Sequence, residues 1–253
     1  MCKIFSVSNQ KGGVGKTTTT GAIAAAFTKK GYRVLAIDLD PQGNLTFSVK
    51  GDSEMSASIY DVLKGEVKPQ HAIQHVGVCD LMSSSILLSG IELDFTESGR
   101  EFLLRDAIAP IKSYYDYIFI DTPPNLGILT VNAFSASDYI IVPVVSDIFS
   151  LQGLAQLHES VQHVKDYVNP KLEFAGILLT RFNARTVLGR EILGTAEMIA
   201  KSLEIPLFKT KIRSSIVVCE AQSAQISILK YSRNNSAAKD YINFAEELIG
   251  RGL

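Results

Sequence analysis

The 253-residue sequence predicts an α/β domain, a doubly wound, mostly parallel sheet with helices on both faces. Three observations carry that prediction. Five short apolar, β-branched runs recur along the chain; helical stretches fall between them; and a glycine-rich turn joins the first run directly to the first helix. With 46% hydrophobic and 20% charged residues, a chain of this length buries a core without staples, so one domain over 1–253 is expected. Disordered, collagen-like and disulfide-scaffold classes are excluded, and the sequence has no internal repeat or Pro/Gly/Ser-rich linker.

The predicted strands are Lys3 to Ser8, Arg33 to Asp38, Tyr117 to Asp121, Asp138 to Val144 and Phe174 to Thr180. Thr17 to Lys30 reads as the first helix, with Ile23, Ala26 and Phe27 on one face and a stop at Gly31. Arg100 to Ile111 and Ser150 to Tyr167 have similar spacing, which implies right-handed crossovers between parallel strands. Residues 50–99 are the least regular, with turn residues at Gly51-Asp52 and Ser83 to Ser85 and one short helix near Ser58 to Lys64. The last helix, about Ser236 to Ile249, carries Tyr241, Phe244, Ala245 and Leu248 as a docking stripe.

Charge excludes a global steering field: 25 basic residues face 26 acidic ones. The balance is uneven, 12 basic to 17 acidic over 1–164 and 13 to 9 over 165–253, so any contact with nucleic acid must be local. Cys2, Cys79 and Cys219 lie far apart with no CxxC, which fits a reduced set in the cytoplasm, with no disulfide or iron–sulfur cluster expected. No apolar run approaches the roughly 20 residues that cross a bilayer, and the polar Ser8-Asn9-Gln10 interrupts any secretory h-region, so no membrane association is expected. His71, His75 and Cys79 have near-metal spacing, but Gly77 disfavours the helix that would align them.

The strongest chemical signal is Lys11-Gly12-Gly13-Val14-Gly15-Lys16-Thr17-Thr18 between a strand and a helix. Glycines let successive N–H groups turn inward onto phosphate oxygens, and the helix adds its positive end. Lys16 is placed to reach the outer phosphates and Thr17 to ligate Mg²⁺, which makes the fold P-loop NTPase-like. Asp121 ends an apolar strand before Pro123-Pro124, at the sheet edge where parallel sheets bind ligands, and is assigned to Mg²⁺ through water. Asp38-Leu39-Asp40-Pro41 ends the second strand with two acids on one face. Asp40 is the better placed to orient an attacking water, while Asp38 serves Mg²⁺ or the loop.

KGGVGKTTTT, DLDPQGN and IDTPPNLGILTVNA together resemble the ParA/Soj-type partition ATPases of the deviant Walker A class, in order and over essentially the whole chain. The resemblance implies ATP and Mg²⁺ as cofactors and slow hydrolysis stimulated by a partner. It makes Lys11 a lysine that crosses a homodimer interface to the partner's ATP, Lys16 the cis phosphate lysine, Asp40 the hydrolytic acid and Asp121 the Walker B acid. It also implies a centromere-binding, ParB-like partner, and non-specific DNA binding that leaves the ATP-bound form on the nucleoid.

The segment LLTRFNART resembles the family's DNA-contacting stretch and maps that role to Arg185, with Arg181 and Arg213 as further candidates. Seven basic residues face three acidic ones between Arg181 and Arg213, a balance that an ordinary charged helix face also produces. The chain departs from the family in carrying Ile216-Val217-Val218 where many relatives place a second arginine, and Asp147 where Glu is common. With the first strand at Lys3, an N-terminal helix-turn-helix for operator binding is not expected.

The alternatives are a MinD-like membrane-cycling ATPase, which calls for a basic amphipathic tail where this chain offers Lys239 against Asp240, Glu246 and Glu247, and a metabolic enzyme of the same fold. A ligase resembling dethiobiotin synthetase needs no trans lysine. A carrier resembling nitrogenase reductase needs cluster cysteines.

Overall fold

The computed structural model describes residues 2–253, with the side chains of 148–152 outside that description. Its seven strands are β1 (Lys3–Val7), β2 (Val34–Asp38), β3 (Ile73–His75), β4 (Asp80–Met82), β5 (Tyr117–Asp121), β6 (Tyr139–Val145) and β7 (Glu173–Thr180). They lie in the order β3-β4-β2-β5-β1-β6-β7, and every pairing is parallel except β3 against β4. The five predicted strands form the centre and one edge of the sheet.

Helices α1 (Lys16–Lys29), α2 (Asn44–Ser48), α3 (Ile59–Leu63), α4 (Ile91–Asp94), α5 (Leu103–Ile108), α6 (Ile128–Ala136), α7 (Ile148–Tyr167), α8 (Val187–Ser202), α9 (Val217–Ser223), α10 (Ile228–Tyr231) and α11 (Ser236–Gly250) connect and cover the strands.

Strand period sorts the core. Phe5, Val7, Ala36 and Phe119 point to the face covered by α1 and α11, where Phe27, Tyr241, Phe244 and Leu248 meet them. Ile4, Leu35, Ile37, Ile118 and Ile120 point the other way, onto Ile59, Leu104, Ile108 and Leu129. A third cluster packs β6 and β7 against α7 and α8. The stripe expected on the last helix is therefore a core face, sealed over α1.

Three segments differ from expectation. Residues 50–99 supply the short hairpin of β3 and β4 besides α3, whose start is fixed by the Asp61 carboxylate accepting the Ser58 N–H at 2.7 Å. The helix expected over Arg100 to Ile111 divides into a 3₁₀ turn at Arg100–Phe102 and the shorter α5, with Asn132 Oδ1 accepting the Leu104 N–H at the junction. Helix α8 was not among the predicted helices. Its buried Ile192, Ala196 and Ala200 form a narrow stripe, and further apolar residues such as Val187, Leu188 and Met198 are exposed around it.

Register fixes the site. β5 lies between β1 and β2, so that Val7, Asp38 and Asp121 stand abreast at the carboxyl edge. Farther along the sheet, Gly176 has φ +148° and lets residues 206–208 close onto β7, with Ile177 and Pro206 joined by a 2.7 Å N–H···O bond. A Cβ at Gly176 would stand 2.7 Å from the Pro206 oxygen and 3.0 Å from the Phe208 ring. Gly176→Ala is expected to cost about 2 kcal/mol of unfolding free energy, read as a lower urea midpoint at unchanged slope.

Candidate functional site

The loop after β1 turns through left-handed glycines, Gly13 at φ +73° and Gly15 at φ +91°, and Gly15 opens α1, whose first turn carries no acidic residue. No acidic side chain of that first turn therefore competes for its backbone N–H groups. The loop is held from two sides. Asn9 donates its amide to the Pro143 carbonyl at 2.8 Å and accepts the Lys11 N–H at 3.0 Å. The Thr180 hydroxyl, at the end of β7, donates to the Val14 carbonyl at 2.9 Å.

Lys16 is buried beneath this loop, its ammonium donating to the carbonyls of Asn9 at 3.0 Å and Lys11 at 3.3 Å. Burial pulls its pKa down, and the charges of Asp121 and Asp40 oppose that shift. The ammonium is already inside the cradle, bonded to carbonyls that a phosphate oxygen can replace.

Three carboxyls converge beside it. Asp38 is fully buried and accepts the Thr46 N–H and hydroxyl, both at 2.8 Å, so it anchors α2. Burial raises its pKa to about 6. Asp40 accepts the Gln42 N–H at 3.0 Å and lines the cleft above the loop. Asp121 accepts a long 3.4 Å contact from the Thr20 hydroxyl through one oxygen, and its other oxygen is buried with no hydrogen-bond partner among the described residues. Burial first and the Asp38 charge second push its pKa well above the ordinary range, against the Thr17 hydroxyl and the Lys16 ammonium. A buried, orphaned carboxylate oxygen next to a threonine hydroxyl is a hard-oxygen donor set that fits magnesium.

Lys11 lies apart from its own cradle. Its ammonium contacts both oxygens of Asp147, at 2.9 and 3.0 Å, on a half-exposed rim. Among the DNA candidates, Arg185 is exposed on the turn that leads into α8. Arg213 is engaged by the mostly buried Asp240 at 2.7 and 2.9 Å, and Arg181 lines the cleft beside the loop.

That cleft, about 580 Å³, is bounded by the loop, Asp40, Gln42 and Asn44. A second cleft of about 390 Å³ continues from it past Arg181, lined by Val14, Ile212, Ile216 and Val218. Sequence reasoning missed Gln222, whose amide donates to the Thr18 hydroxyl at 3.0 Å from the other end of the chain, and Thr180, whose place at a strand end was the one available signal.

The chain is similar to known proteins along its length. A family model described as an AAA domain matches residues 2–174. The sporulation initiation inhibitor protein Soj of Bacillus subtilis is 37% identical over the full length of both chains. The chain belongs to the ParA/Soj-type ATPases. The chromosome partitioning protein ParA of Caulobacter vibrioides is 34% identical to this ParA/Soj-type chain, over 98% of it and 94% of the relative. Among solved structures, a cobyrinic acid a,c-diamide synthase from Mycobacterium smegmatis with bound ATP analog and magnesium superimposes with a TM-score of 0.89, at 33% identity over 100% of this chain and 96% of the other. Among the described residues of this ParA/Soj-type ATPase, no helix is long and apolar enough to cross a membrane.

The Thr180 tether provides a test of how the loop is held. Thr180→Val keeps the volume and removes the donor to Val14. It is expected to weaken nucleotide binding several-fold and to lower unfolding free energy by about 1 kcal/mol, measured by fluorescent-nucleotide titration beside urea unfolding.

Proposed function

We propose that this ATPase is a nucleotide-controlled partition switch: two copies close over two ATP molecules, the dimer is retained on DNA without reading sequence, and a centromere-binding, ParB-like partner triggers hydrolysis and release. ATP and Mg²⁺ are its cofactors. The ion supplies charge neutralisation at the outer phosphates, held by the Thr17 hydroxyl and, through water, by Asp121, with Asp38 fixing the loop and α2 behind them. Lys16 binds the outer phosphates from inside the cradle. Asp40 faces the cleft, where it orients water for attack. With positioned lysines and one acid doing this work and no arginine finger assigned, unstimulated turnover is slow.

The observation that carries the dimer reading is the setting of Lys11. Its ammonium is turned to the Asp147 rim rather than into its own loop, where a partner's nucleotide can exchange for the carboxylate. A cation contributed this way stabilises only the closed pair, so the γ-phosphate controls association. Whole-length likeness to Soj and ParA supports the partition role. The likeness to the cobyrinic acid a,c-diamide synthase supports a second reading, a biosynthetic enzyme that uses the same cradle.

Sedimentation separates the two. Asp40→Ala saturated with ATP is expected to run as a dimer, and adding Lys11→Ala to return it to a monomer; a biosynthetic enzyme that uses the same cradle has no such requirement. Asp147→Asn, by freeing Lys11, should lower the ATP concentration needed for dimerisation. On DNA, Arg185→Ala is expected to lose ATP-dependent retention, with the native chain's retention falling steeply between low and physiological salt.

A further inference from the structure

We infer that Arg181 is a nucleotide clamp that contacts the α-phosphate of the ATP or ADP bound by its own protomer, and that it does not serve DNA. The inference rests on the reading of the Lys11 to Thr18 loop as the phosphate cradle and deepens it. Arg181 directly follows Thr180, whose hydroxyl ties β7 to the loop, so its backbone position is set relative to the cradle. It is one of four non-glycine residues with positive φ among the described residues, at +50°. That left-handed conformation is uncommon for a long side chain and turns the chain sharply at the end of the strand.

The turn delivers the side chain to a junction. Both clefts are bordered by Gly15, Thr18, Arg181, Cys219 and Gln222. The first cleft is lined by the cradle lysine Lys16 and by Asp40. The second has apolar walls with the Ser214 and Ser215 hydroxyls, suited to a flat heterocycle, and the Arg181 charge reaches the buried Tyr241 phenol that lines it. What lies between the β-phosphate and the base in a nucleotide is the α-phosphate and ribose.

Arg213, by contrast, is bound by Asp240, Arg33 by Asp116 and Arg251 by Glu247, whereas Arg181 has no ion pair among the described residues. A guanidinium not held by a carboxylate at that junction presents a planar fork to a phosphate. Because both nucleotides carry the α-phosphate, the contact is indifferent to hydrolysis. It retains ADP after the γ-phosphate has gone and sets the rate of exchange.

Arg181→Asn is the test, since asparagine tolerates the left-handed backbone while removing the cation. Full-length protein is titrated with a fluorescent ADP and with a non-hydrolysable fluorescent ATP analogue, and release is timed by displacement. About tenfold weaker binding of both nucleotides, with ADP release faster by a similar factor, is expected. The thermal midpoint without nucleotide and DNA retention at saturating nucleotide should stay at native values. Arg181→Lys, which keeps the charge without the fork, should fall between.

Native affinity for both nucleotides overturns the inference. So does a loss confined to the ATP analogue, which assigns Arg181 to the γ-phosphate or to the partner's site, and so does lost DNA retention at native nucleotide affinity. Lys16→Ala is measured alongside. If it too binds with native affinity, the cradle reading itself has failed; if it binds weakly while Arg181→Asn does not, the clamp alone is wrong.

Discussion

The site is governed by an imbalance of buried charge. Parallel register brings Asp38 and Asp121 side by side at a dry sheet edge with Asp40 two residues on, and among the described residues the one ammonium buried with them belongs to Lys16. Two carboxyls there are pushed toward their neutral forms and the lysine toward its own, which is the response of charges denied both water and sufficient partners. A divalent cation at this edge would supply positive charge that the carboxyls lack.

Much of this was legible because it is local. A strand, a glycine loop and a helix are consecutive in sequence, and the loop's chemistry follows from backbone geometry that glycines announce. Asp121 and Asp38 were found because apolar runs end on them, and a parallel sheet aligns its strand ends without regard to sequence distance. The stripe of Tyr241, Phe244 and Leu248 was equally readable, since three- and four-residue spacing survives in a helix that buries one face.

What escaped reading was non-local or masked by charge. The Gln222 amide reaches Thr18 across some two hundred residues, and no periodicity reports such a pairing. Helix α8 lies inside the stretch from Arg181 to Arg213 that was weighed for its charge count, and its apolar spacing was not followed there. The arginines show the same limit: sequence places Arg181, Arg185 and Arg213 in one basic stretch, and all three are exposed, yet a carboxylate on α11 holds Arg213, Arg181 borders the cleft, and Arg185 lies on the turn before α8. A count of cations carries no information on which of them a fold has already occupied.

The margins of the sheet have a consequence for colloidal behaviour. On one side the three-residue strand β3 runs against the grain of the rest, and on the other residues 206–213 lie along β7, bridging Ile177 to Leu207 and Phe182 to Arg213. Short or occupied borders offer a neighbouring molecule no long ladder of unpaired amides to extend. Such margins lower the tendency of crowded copies to pair edge to edge and turn reversible clustering into fibres.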